Sequence, residues 1–281
     1  MNKIESYAKV NLGLSVIRKT KRNYHKLKMV MSQIELHDEI YFEDSDDLKV
    51  TMDCEICDME NNLCYKVAKY LKEKYNVKQG IHIHINKKIP DGGGLGGGSS
   101  NAATVLSYLN NYWGLKLSHK QMKKIGFRFG CDIPFFIKGK LSYVYSYGEK
   151  VKLIKAKKQN DLILLIFPNF RNSTKIVFEN HKLQKNSGKN IKKLIYGIKK
   201  GDYTQYIYND LEYTADFLSC GEVTKIKEVL SSVGLKRNVM SGSGSTIVSY
   251  ITEEIDIDKT VKQIVDILPN VKVVVSRLKM Y

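Results

Sequence analysis

Apolar side chains recur along this chain with two distinct periods. Ile81-His82-Ile83-His84-Ile85 alternates like a strand with one buried face. Leu63, Val67, Tyr70 and Leu71 recur at helical spacing, which predicts a helix over Asn62 to Tyr75. Upstream, a strand is expected over about Lys3 to Ile17, then a turn at Lys21-Arg22-Asn23. Strand patterns resume over Leu27 to Ile34 and Asp38 to Phe42, and the acidic run Glu43-Asp44-Ser45-Asp46-Asp47 predicts a hairpin tip. A helix is predicted over Asn101 to Leu109 with Ser99 or Ser100 as its cap, and a shorter one around Ser118 to Phe129. Leu141 to Val151 reads as a strand pair.

A polar, lysine-rich stretch over Lys155 to Asn160 predicts a domain boundary, dividing the chain into 1–155 and 156–281. The second part opens with the apolar run Leu162 to Phe167, a buried strand. Helical patterns follow near 187–200, 202–218 and 221–233. A second glycine loop, Met240-Ser241-Gly242-Ser243-Gly244-Ser245, precedes a strand over Thr246 to Tyr250, and a helix over 258–268 leads to a last strand, Val271 to Ser276. Strands and helices mixed in both halves predict an α+β fold.

The most informative segment is Pro90 to Ser100, with six glycines in eleven positions between a strand and a helix. Glycine admits positive φ and lets bare N–H groups approach a ligand. Such groups, feeding a helix N-terminus, gather donors and the positive end of the dipole onto one anion. A nucleotide-phosphate site is therefore expected here. The run closes with Ser99-Ser100-Asn101 and no lysine, which excludes a Walker A loop. Gly92, Gly94 and Gly97 satisfy the dinucleotide spacing, but residues 114–124 contain no acid to hold a ribose.

Composition adds less. The 281 residues, 43% hydrophobic, fit a globular protein of one large or two ordinary domains. No apolar stretch suits a membrane span and Met1-Asn2-Lys3-Ile4-Glu5 lacks a signal core, so a cytoplasmic location is expected. The net charge of +17 would attract polyanions, but the lysines are scattered in doublets such as Lys192-Lys193. Cys54-x-x-Cys57 has no second pair at metal spacing, and His82 and His84 suit the polar face of a strand; both sets are read as structural.

Taken in order, Ala8-Lys9-Val10-Asn11-Leu12, the Pro90–Ser100 loop, Gly130-Cys131-Asp132-Ile133-Pro134 and Met240-Ser241-Gly242-Ser243-Gly244 resemble the motifs of the GHMP kinases, across nearly the whole chain. Asn23-Tyr24-His25, Asn62-Leu63 and Asn209-Asp210-Leu211-Glu212 narrow the resemblance to members that phosphorylate a cytidine-diphosphate-linked methylerythritol at its 2-hydroxyl, in non-mevalonate isoprenoid biosynthesis. The resemblance implies an N-terminal domain of ribosomal-protein domain-2 type, a C-terminal ferredoxin-like α/β sandwich, and an active site in the cleft between them. It also implies ATP and Mg²⁺ as cofactors and a small-molecule partner, with no nucleic acid or membrane partner.

By that resemblance Asp132 is the general base, assisted by Lys9. Phosphoryl transfer needs such a group to take the hydroxyl proton. Asn62, Pro90, Gly92, Gly93, Gly94, Leu95, Gly96, Gly97, Gly98, Ser99 and Ser100 would bind ATP, with Ser99 or Ser100 at Mg²⁺. Tyr24, His25 and Phe178 would hold cytosine, and Asn11 would orient the erythritol end. Asp91 beside the phosphate loop and the cluster Tyr143, Tyr145 and Tyr147 depart from the family pattern. The alternatives are another small-alcohol kinase of the homoserine or mevalonate type, a basic RNA-binding protein, and an inactive homologue. The aromatic clamp argues against the first, the absence of a basic stripe with interleaved aromatics against the second, and the intact Lys9, Asp132 and glycine loop against the third.

Overall fold

The computed structural model describes residues 2–20, 24–54, 58–157, 162–183, 188, 190–252 and 254–280. The turn at Lys21-Arg22-Asn23, with the Asn23 marker, and Cys57 lie outside them, as does part of the Lys155 to Asn160 stretch. The chain opens with two long strands, β1 (Asn2–Lys19) and β2 (His25–Glu43), and continues through β3 (Leu48–Met52), α1 (Leu63–Lys74), β4 (Ile81–Asn86) and α2 (Gly97–Tyr112). Next come α3 (His119–Gly126), α4 (Ile133–Lys138) and the hairpin β5 (Ser142–Ser146) and β6 (Lys150–Leu153). The second half contains β7 (Leu162–Phe167), α5 (Thr174–Asn180), α6 (Asn190–Lys200), β8 (Tyr208–Asn209), α7 (Glu212–Leu218) and α8 (Glu222–Ser232). It closes with β9 (Asn238–Met240), β10 (Ile247–Tyr250), α9 (Ile257–Ile267) and β11 (Lys272–Lys279).

The organising strand is β2. One of its edges pairs with β1 along nearly its whole length, and the other pairs in turn with β5, β11 and β4. β11 also runs antiparallel to β7, so it joins the strands of the second half to those of the first. The predicted strands over Leu27 to Ile34 and Asp38 to Phe42 are thus one strand. A step of two residues in β1, from Lys9 back to Tyr7, faces a step of four in β2, from Gln33 to His37. This bulge interrupts the alternation without ending the strand.

The acidic run at 43–47 is not a hairpin tip. β4 lies between β2 and β3, and β3 is parallel to β4, so the connection passes over the end of β4. Gly80 permits that crossing: a Cβ there would lie 2.3 Å from the Asp46 carbonyl oxygen. The predicted helix over 202–218 is broken into a 3-10 turn, β8 and α7, because Tyr208 and Asn209 pair with Gly13 and Leu14 of β1. Two short helices escaped the periodicity, α4 and α5, each less than two or so turns long.

Helices α1 and α2 pack on one face of the sheet, where Val67, Leu71, Val105, Leu106 and Leu109 meet Ile40, Phe42 and the buried face of β4. A bulge in β1 then decides where the polar side chains point. Ala8, Val10 and Leu12 belong to one core, whereas Leu14 and Val16 belong to the other, because the register slips between Asn11 and Gly13. An extra residue reverses the faces of a strand. Lys9, Asn11 and Leu14 therefore share one side, and Gly13 turns to the other, where α6 packs on it.

Gly126, the last residue of α3, allows α4 to approach. A Cβ at this position would lie 2.4 Å from Cγ2 of Ile133, a β-branched residue with little rotamer freedom. Gly126→Ala is expected to destabilise the protein by about 1–3 kcal/mol through overpacking. The loss should be smaller in an Ile133→Ala background. Chemical denaturation of the two pairs of variants measures both.

Candidate active site

The glycine loop, called the phosphate loop for the ligand expected there, is built by backbone geometry. Gly92, Gly94 and Gly96 have φ of 71°, 76° and 70°, in the left-handed region. Gly96 is the N-cap of α2 and supplies no side-chain hydrogen bond, so the helix begins inside the glycine run with its first N–H groups uncapped. Ser99 and Ser100 stand within the first turns, and neither caps the helix as predicted. Ser99 faces the cleft. Ser100 is buried and donates to the Tyr7 carbonyl at 2.6 Å, with the Ser6 hydroxyl 2.8 Å away.

Two segments distant in sequence grip the loop. The Lys9 N–H donates to the Leu95 carbonyl at 2.9 Å, and the Thr246 N–H to the Gly93 carbonyl at 3.3 Å. The Ser241 hydroxyl donates to the Gly94 carbonyl at 3.1 Å and accepts the Asn11 N–H at 3.2 Å. The second glycine loop is held in turn by the Asn209-Asp210-Leu211-Glu212 motif. Asn209 Nδ2 donates to the Met240 and Gly242 carbonyls, Asp210 accepts the Val16 N–H, and Glu212 accepts the Met240 N–H.

These elements surround a cleft of about 760 Å³. Every sequence-predicted site residue lines it except Asn62 and Ser100. Asn62 spends its amide elsewhere: Oδ1 caps α1 by accepting the Cys64 N–H at 2.8 Å, and Nδ2 contacts Met52 Sδ at 3.3 Å. Its neighbour Leu63 reaches the cleft instead. Sequence reasoning missed Lys87, Thr174, Lys175 and Glu179, which also line the cleft, and gave Tyr147 no place there; Gly242 and Ser243 of the second glycine loop close it as that reading expects. The glycine-loop flank could have drawn attention to Lys87, but α5 carried no recognised motif. Asp91 is exposed on the rim.

Lys9 and Asp132 meet here with Nζ and Oδ2 3.9 Å apart. Asp132 is the N-cap of α4, and its carboxylate makes no capping bond, which leaves it available to the cleft. Lys9 is buried and donates to Asn11 Oδ1 at 2.6 Å. Burial pushes the Lys9 ammonium below the ordinary lysine pKa of 10.5, and the Asp132 charge pulls it back up. The Nδ2 of Asn11 is buried with no partner among the described residues, a donor left for a ligand.

At another part of the cleft lining, His25 stacks at a tilt on Phe178, with ring centroids 5.2 Å apart. Tyr24, 62% exposed, meets Tyr147 edge to face at 6.4 Å. Burial, with Lys19 and His181 nearby, pushes the His25 pKa down, which favours the neutral imidazole. Tyr143 and Tyr145 stack on each other instead and do not join the cleft lining. His82 and His84 both hydrogen-bond Thr51, and Cys54 is a free, exposed thiol.

Residues 62–140 match the model of the GHMP kinases N terminal domain. Over 266 residues the chain is 36% identical to the 4-diphosphocytidyl-2-C-methyl-D-erythritol kinase of Thermodesulfovibrio yellowstonii, covering 92% of each protein. The chain belongs to this kinase family within the GHMP kinases. A Clostridium beijerinckii protein of the same name is 35% identical over 252 residues, which is 87% of this chain and 89% of that one. A solved 4-(cytidine 5'-diphospho)-2C-methyl-D-erythritol kinase superposes with a TM-score of 0.81 at 25% identity over 99% of both chains. The homoserine kinase from Cytophaga hutchinsonii, at TM-score 0.75 and 19% identity over 99% of this chain and 95% of that one, shares the fold. The α+β GHMP kinase fold is thereby shown, and the chain is an ATP-dependent kinase by family. Among the described residues, no helix is long and apolar enough to cross a membrane.

The buried lysine of this GHMP kinase carries a stability cost. Folded Lys9 releases its proton more readily than unfolded Lys9, so between its lowered pKa and 10.5 the unfolded state holds more protons and stability rises with pH. Lys9→Met is therefore expected to melt about 2 °C or more above the parent near neutral pH. The advantage should shrink as pH rises toward 10.5. Melting temperatures of both proteins from neutral to alkaline pH check the sign.

Proposed function

We propose that this kinase transfers the γ-phosphoryl group of ATP to the 2-hydroxyl of 4-diphosphocytidyl-2-C-methyl-D-erythritol, a step of non-mevalonate isoprenoid biosynthesis. One observation carries the reading. The phosphate loop, the Lys9–Asp132 pair and the aromatic group of Tyr24, His25 and Phe178 all line the same cleft. An alcohol without a base has no use for such aromatic groups, whereas cytosine offers a face to stack and an edge to hydrogen-bond.

In this reading the triphosphate lies along the glycine run, with the uncapped N–H groups of α2 directed at its oxygens. The Asp132 carboxylate takes the proton from the acceptor hydroxyl as its oxygen attacks phosphorus in line. In its charged form, which burial disfavours and the Asp132 carboxylate favours, Lys9 steadies the negative charge on that oxygen. The free Nδ2 of Asn11 donates to the erythritol portion. Tyr24 and Phe178 enclose the cytosine, and the neutral His25 imidazole meets its edge. The hard oxygen donors present, the Ser99 hydroxyl and the Asp132 and Glu179 carboxylates, are of the type Mg²⁺ takes, and of the two serines expected to hold it, Ser99 faces the cleft and is the one we assign. When bound, Mg²⁺ would neutralise phosphate charge. The halves 1–155 and 156–281 are taken as the two domains that form the cleft.

The test is ADP release with Mg-ATP and the cytidyl substrate, with homoserine and mevalonate in parallel. Turnover on the cytidyl substrate alone supports the assignment, and activity confined to another alcohol overturns it. Asp132→Asn is expected to lower kcat by about 10²-fold or more while ATP still binds. Tyr24→Ala should raise KM for the cytidyl substrate about tenfold, the loss of one stacking contact, with little change in KM for ATP.

A further inference from the structure

A second charged cluster lies at the foot of the phosphate loop and has no part in the chemistry above. Asp38 of β2 is 0% exposed. Its Oδ1 accepts the N–H groups of Lys88 at 2.7 Å and Ile89 at 2.8 Å. Its Oδ2 accepts Asn101 Nδ2 at 2.9 Å and pairs with the Lys87 ammonium. These donors come from both sides of the glycine run: residues 87–89 precede it, and Asn101 follows it in α2.

A carboxylate this deep must have its charge met inside the protein. An apolar group of similar volume would often serve stability as well, so the pair calls for a use beyond stability. Lys87 indicates that use. Its side chain is 9% exposed and lines the cleft, with Nζ 3.2 Å from where a Cβ on Gly97 would stand. Gly97 is the first residue of α2, whose N-terminal N–H groups are uncapped. The ammonium is thus fixed beside the anion-binding end of the helix.

We propose that Asp38 is a positioning residue for nucleotide binding. It holds the Lys87 ammonium where the triphosphate meets α2, and it ties the start of the phosphate loop to α2 through Lys88, Ile89 and Asn101. Asp38 touches no substrate; it acts on ATP through Lys87, while its bonds to Lys88, Ile89 and Asn101 seat Asp38 itself. The inference rests on the cleft taking a nucleoside triphosphate and is independent of which alcohol accepts the phosphoryl group.

The experiment is calorimetric titration of ATP and of adenosine into the parent, Lys87→Met, Asp38→Asn and the double variant, with KM measured for both substrates. Lys87→Met and Asp38→Asn are each expected to weaken ATP on the order of tenfold, as for a lost charge-assisted contact. Adenosine affinity and acceptor KM should be unchanged, and the double variant should bind ATP no more weakly than Lys87→Met. Should Asp38→Asn fail to fold, the double variant, which removes both buried charges, still carries the comparison. Parental ATP affinity in Lys87→Met or in the double variant would overturn the proposal. So would losses that multiply in the double variant, or equal losses for ATP and adenosine. A parent that binds no ATP would overturn the nucleotide reading and this proposal with it.

Discussion

The cleft depends on the close approach of two glycine-containing loops far apart in sequence. A Cβ on Gly94 would stand 2.1 Å from the Ser241 carbonyl oxygen, and one on Gly93 would stand 2.7 Å from the Thr246 hydroxyl. No side chain fits in that space. The contact draws the phosphate loop, β1 and the 241–246 loop into one hydrogen-bonded assembly, with the Asn11 N–H and the Gly94 carbonyl sharing the Ser241 hydroxyl. The position of Lys9 follows from it, because its N–H is bound to the same loop at Leu95. In the proposed function the glycines serve two needs at once: backbone donors bared to a phosphate, and backbone packed on backbone.

Electrostatics around this frame divide into two buried pairs with different purposes. At Lys9 the ammonium is desolvated, with its carboxylate partner at 3.9 Å and partly open to the cleft. That is a poor ion pair for stability and a suitable one for chemistry, since both groups keep capacity to interact with a substrate. At Lys87 the carboxylate is sealed and its acceptor sites are taken. There the charge is held in place. A cost in stability at the first pair and rigid placement at the second both suit the proposed reaction, in which the site binds a triphosphate and moves one proton.

Much of this was legible before folding. The glycine run, the strand before it and the α1 periodicity identify local structure, since each depends on spacing within a few residues. Ser118 shows the same: its predicted helix begins with a capping box formed with Gln121, an interaction contained within four residues. Where local and tertiary demands diverged, the reading failed. β2 looked like two strands because a bulge opposite Lys9 scrambles the alternation, and the 43–47 run looked like a hairpin because strand order is not a local property. Asn62 caps its own helix through Oδ1, a local role that its place at the helix start already implied, whereas the contact of its Nδ2 with Met52 is a tertiary one.

The sequence by itself determined the family, the reaction type and most residues of the cleft, because those are carried by residue types that chemistry requires in a set order. Only the tertiary structure decided which side chains share a face. The register slip between Asn11 and Gly13 turns Lys9, Asn11 and Leu14 together toward the cleft, and the burial of Asp38 makes Lys87 a fixed cation rather than a solvated one. Both depend on contacts between residues tens to hundreds of positions apart, where side-chain direction and dielectric environment are set by packing and not by neighbours in the chain.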